Sequence, residues 1–110
     1  MKNLKQNDFD KMYKDGKNLT DKPIYIYFYA DWWGPCKNFK RVLEKVIPDY
    51  DDKINMYKVN VSNEMELANM FRVSGIPYMV FISKSGEIDS LGNADFHTLK
   101  YYFDGLISKK

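Results

Sequence analysis

Ile24-Tyr25-Ile26-Tyr27-Phe28-Tyr29 runs six residues without a charge, between Pro23 and a loop that closes on Gly34-Pro35. Such a run lacks the alternation of a strand with one wet face, and is far below the ~20 residues needed to cross a membrane. It reads as a strand buried on both faces, at the centre of a sheet that needs helices above and below it. The rest of the chain must supply those covers.

It does so by changing period. From Pro35, Phe39, Val42, Leu43, Val46 and Ile47 form one apolar stripe, while Lys37, Lys40, Arg41, Glu44 and Lys45 fill the opposite face, and Pro48 closes the helix. Before the central strand, Asn7 or Asp8 caps a helix predicted over 8–17, with Phe9, Met12 and Tyr13 inward and Gly16 near its end. Ile54 to Val61 reads as a second strand, and Ser62 or Asn63 as the cap of a helix burying Leu67, Met70 and Phe71. Tyr78 to Ile82 and Glu87 to Leu91 flank Ser83-Lys84-Ser85-Gly86 as an antiparallel hairpin. A last helix runs from Asp95 to Ile107 on Phe96, Leu99, Phe103, Leu106 and Ile107. The order describes an α/β domain with a mixed sheet covered on both faces.

At 110 residues, residues 1–110 make one domain with one core, and no linker or repeat divides it. Seventeen basic against fifteen acidic residues leave +2, too little to point to nucleic acid. No signal-like stretch or long apolar run is present, so the chain reads as soluble and cytoplasmic, with no membrane partner. Its single cysteine, Cys36, excludes an intramolecular disulfide and fits a reducing compartment. Phosphate loops, metal-spaced histidines or cysteines and nucleophile-serine turns are missing, so no metal and no cofactor is expected. His97 reads as a surface helix residue, the Lys37, Lys40, Arg41 and Lys45 face as solvated, and Asn18-Leu19-Thr20 as a chance match to a glycosylation acceptor.

Tyr29-Ala30-Asp31-Trp32-Trp33-Gly34-Pro35-Cys36-Lys37, Lys58-Val59-Asn60, Gly75-Ile76-Pro77, Gly86 and Gly92 together resemble the thioredoxin family, from about Phe9 to Leu106. The resemblance implies the thioredoxin fold: a central mixed sheet of four or five strands flanked by four helices, with a cis peptide bond before Pro77. It also implies redox chemistry at the start of the second helix, where this chain departs from the pattern. Trp33 stands where the family has its attacking cysteine, so the two-cysteine exchange cycle cannot close within one chain. Tyr27 stands where many members hold a buried acid, and a phenol titrating near 10 is a poor base at neutral pH. Lys58 matches a family lysine near that acid, and Met1 to Lys5 leave room for only a brief edge strand.

In the family, the backbone of the residue before the cis-proline pairs with an extended substrate segment. The resemblance therefore implies a groove for a protein or peptide client built from Trp32, Trp33, Gly34, Pro35, Ile76, Pro77, Leu91 and Gly92. Trp33 either forms part of that binding surface or plugs a dead site. The expected function is client binding without dithiol reductase activity. The alternative is thiol–disulfide exchange or redox sensing at Cys36, with glutathione or a client thiol as its partner, in a monomer or a Cys36-linked dimer. An iron–sulfur cluster shared by two chains would be strained with one cysteine from each.

Overall fold

The computed structural model describes residues 1–109. Its main sheet has the strand order β1-β5-β4-β6-β7. Strand β4 (Ile24–Tyr29) is the middle one, parallel to β5 (Asn55–Asn60) and antiparallel to β6 (Tyr78–Ile82). β6 pairs antiparallel with β7 (Ile88–Leu91), and the two-residue β1 (Lys2–Asn3) lies parallel on the far edge of β5. α1 (Gln6–Met12), α2 (Gly34–Val46), α3 (Met65–Met70) and α4 (Phe96–Ser108) flank the sheet, and a short 3-10 turn over Ile47–Asp49 follows α2. None of the helices described is long and apolar enough to cross a membrane.

The unbroken apolar run of β4 is explained by two cores, one on each face. Tyr25 and Tyr27 pack with Phe39, Leu43 and Val46 of α2 and Leu99, Phe103 and Leu106 of α4. Ile24, Ile26 and Phe28 pack with Phe9 and Met12 of α1 and Leu67 of α3. Each fully buried side chain of this size contributes roughly 1.5–3 kcal/mol of apolar transfer, so a charge at any of the buried positions Ile24 to Phe28 would cost more than most single contacts supply.

Several sequence expectations require correction. The first helix ends at Met12 rather than Lys17, because Asp15 and Gly16 both take positive φ (53° and 74°) and turn β2 (Tyr13–Lys14) back onto β3 (Lys17–Asn18). Two successive positive-φ residues of the Asp-Gly type make a tight hairpin turn and cannot continue a helix. Asn18 pins this hairpin to the sheet: its side-chain amide donates to the carbonyls of Lys22 (2.8 Å) and Ser83 (3.2 Å). The third helix is capped at Glu64, not at Ser62 or Asn63, because those two residues form a turn folded back onto Asn60. Its six residues bury only Leu67 and leave Met70 49% exposed; Phe71, past the helix end, reaches inward to Phe9 and Phe28 instead. At the end of α4, Ile107 also faces outward, while Phe96 is half-buried.

A candidate functional site at the start of the second helix

Strand β4 delivers the chain to a loop, Ala30 to Trp33, that turns directly into α2. Trp33 is the N-cap, with extended backbone and no side-chain cap bond, and Pro35 lies in the first turn, where its missing amide costs nothing. Cys36 follows, three residues past the cap; its amide bonds the Trp33 carbonyl at 3.2 Å.

The two indole N–H groups go to different partners. Trp32 is 69% exposed and its Nε1 donates to the Ser62 hydroxyl at 3.4 Å. Trp33 is 42% exposed and its Nε1 donates to the Ile76 carbonyl at 3.0 Å. Their rings meet edge to face, 5.8 Å apart at 70°. The Ile76–Pro77 peptide bond is cis, with Ile76 half-buried and Pro77 buried. Gly34 and Gly92 are exposed, Pro35 is half-buried, and Leu91 is half-buried and paired with Met79. Trp33 and Ile76 are therefore brought into direct contact, while Trp32 turns away toward the loop before α3.

Cys36 is a free thiol with 4% of its surface exposed. Beneath it Tyr27 donates from its hydroxyl to the Cys36 carbonyl at 3.4 Å, its ring stacked on Tyr29 and tilted against Phe39. Burial first, and then neighbouring Cys36, push the Tyr27 phenol well above its ordinary range. It stays protonated across the physiological range and cannot accept a proton from Cys36.

A cavity of about 440 Å³ opens beside these groups, lined by Tyr27, Tyr29, Cys36, Lys37, Lys40 and Lys58 among others. The sequence predicts a solvated basic face at Lys37 and Lys40 and does not join it to Lys58; the structure gathers the three around one cavity. The alternation of β4, which sends Tyr27 and Tyr29 to the α2 face, is the signal that could have located the cavity. His97 is exposed beside Phe96. Among the described residues no group of three or more His, Cys, Asp or Glu is arranged to hold a metal.

The family model Thioredoxin matches residues 1–104. A thioredoxin of Borreliella burgdorferi is 35% identical over 78 residues, 68% of this chain and 67% of that protein. Thioredoxin-1 of Drosophila melanogaster is 31% identical over 93 residues, 84% of each chain. The crystal structure of Fasciola hepatica thioredoxin superposes with a TM-score of 0.80 at 26% identity, over 96% of this chain and 99% of that one. With the mixed five-stranded sheet, the four helices and the Gly34-Pro35-Cys36 helix start, these matches establish that the chain belongs to the thioredoxin family.

Proposed function

We propose that this domain binds an extended protein or peptide segment at the Trp33–Pro77 edge and does not act as a dithiol reductase. One observation carries the reading: the position that must hold an exposed attacking sulfur holds Trp33, and the chain's single thiol, Cys36, is buried. Thiol–disulfide exchange starts with a reachable thiolate. An indole cannot exchange thiols, which leaves recognition as the use of the Ile76–Pro77 edge that it borders. Exposed Trp32 and Gly92 extend the surface on either side of Ile76, and the +2 charge gives no reason to expect a polyanion. The single cysteine supports a reducing, cytoplasmic setting.

The test is reduction of a disulfide-bonded protein substrate by the wild-type chain with dithiothreitol as electron source. The expected rate equals that of dithiothreitol alone. Catalytic turnover abolished by Cys36→Ser would overturn the reading.

The 440 Å³ cavity beside Cys36 supports a second reading, exchange at the single thiol. There the Cys36 thiolate attacks glutathione disulfide, the S–S bond breaks, a Cys36–glutathione mixed disulfide forms, and the departing glutathione thiolate takes a proton from water. A second thiol must then regenerate Cys36, so no cycle closes within the chain. Intact mass after incubation with glutathione disulfide distinguishes adduct, Cys36-linked dimer and unreacted protein.

A further inference from the structure

The hydrogen bond from Trp33 to Ile76 occupies the atom that strand pairing at this edge requires. An extended segment that pairs with the Ile76 main chain through a backbone N–H uses the Ile76 carbonyl, the one main-chain acceptor that residue has. In this structure the Ile76 carbonyl accepts from the Trp33 indole at 3.0 Å. The surroundings leave room for a backbone to approach: a Cβ built on Gly34, Gly75 or Gly92 meets nothing within 4 Å. Trp33 itself is held loosely. It is 42% exposed, and its ring partner, Trp32, is 69% exposed. Rotating its side chain outward disrupts no buried core.

We infer that Trp33 is a latch on the docking edge, closed in the free protein by its bond to Ile76 and displaced by the N–H of an incoming extended segment. The inference rests on the peptide-docking reading above. It makes Trp33 a competitor for the partner rather than part of the partner's binding surface, and it separates the two roles that the sequence left open. It also sets the partner's chemistry: the residue that pairs with Ile76 must carry a backbone N–H, which excludes proline there. A latch of one hydrogen bond is a weak bias, so the cost to the partner is a reduced fraction of open protein rather than a block.

The test uses linear peptides selected from a displayed random library on both the wild-type domain and Trp33→Phe, which removes the donor and keeps an aromatic ring. Each selected peptide is titrated into both proteins and into Trp33→Ala, with the Trp33 indole N–H and the Ile76 and Gly92 amides followed by NMR. The expected result is about 3- to 10-fold tighter binding to Trp33→Phe than to wild type, the factor that one net hydrogen bond is worth. The wild-type indole N–H signal should move to a free-indole position at saturation, and a single N-methyl group in the peptide should abolish binding at one position only. Equal affinities with an unmoved indole signal would overturn the latch and leave the docking reading intact. Weaker binding to both Trp33 variants would make Trp33 a binding contact and also overturn the latch. Failure of every selected peptide to perturb Ile76 and Gly92 would overturn the docking reading, and the latch with it.

Discussion

The indole N–H of Trp33 reaches across 43 residues of sequence to the carbonyl of Ile76 and closes at 3.0 Å on the residue that precedes Pro77. The side chain at the N-cap of α2 thus joins the helix start to the loop that borders it. Cys36, in the first turn of the same helix, is buried, and neutral Tyr27 donates to its carbonyl.

Restoring the sulfur tests how far the remaining site is suited to redox chemistry. Trp33→Cys supplies a dithiol, but the protonated Tyr27 phenol offers no base for the second cysteine. Loss of general-base assistance costs about 100-fold or more. Disulfide reduction by Trp33→Cys should exceed the wild-type background yet stay at or below about 1% of a relative with the buried acid. A rate within tenfold of such a relative would show that Tyr27 is not limiting.

Cys36 should be protected in the folded state. With 4% of its surface exposed, its alkylation by iodoacetamide should be at least ~100-fold slower than in the unfolded chain, because attack must wait for local opening. Comparable rates would move the weight to exchange through the cavity.

Tyr25 is fully buried between Phe81 (centroids 5.3 Å apart) and Phe103 (4.8 Å), and its hydroxyl has no hydrogen-bond partner. Burial drives the phenol well above its ordinary range, so it stays neutral, but an unsatisfied buried hydroxyl still costs about 1–3 kcal/mol. Tyr25→Phe should raise stability by about 1 kcal/mol in guanidinium unfolding. A loss of stability would show that the hydroxyl is satisfied in solution, for example by an ordered water.

Gly86 sits at φ 107°, and a Cβ on it would run into the carbonyl of Gly16 in the Asp15-Gly16 turn. Gly86→Ala should cost more than about 2 kcal/mol, because strain and a backbone clash combine. At Gly16, with φ 74° and nothing near the Cβ position, alanine should cost only about 1 kcal/mol. Equal losses at the two positions would refute the clash.

Asp95 caps α4 by accepting from the Thr98 amide at 2.8 Å, and that backbone bond, more than any other cause, lowers its carboxyl below the usual 3.8. A group depressed in the folded state stabilises above its unfolded value and loses that contribution as pH falls through the folded one. Asp95→Ala should therefore lower the melting temperature at neutral pH, with the difference from wild type narrowing below about pH 3.8. A difference independent of pH would mean that the charge plays no part in the cap.

The sequence by itself determined the elements that depend on local order. The charge-free run of β4, the 3.6-residue stripes of α2 and α4, the start of α4 at Asp95 and the glycine turn before β7 are all recorded in neighbouring residues, and the Trp33-Gly34-Pro35-Cys36 segment pointed to the candidate site. The Asp15-Gly16 turn was legible too, but the apolar spacing of Phe9, Met12 and Tyr13 suggested a helix that the turn cuts short. Met70 fitted a helical stripe that a six-residue helix is too short to bury. Only the tertiary structure decided that Trp33 closes onto Ile76, that Cys36 is buried over Tyr27, and that Lys37, Lys40 and Lys58 share a cavity with Cys36 and Tyr27. The physical reason is that periodicity fixes which face of an element is buried. The direction an exposed indole takes, and which charges gather around a cavity, depend on how separate elements pack in space.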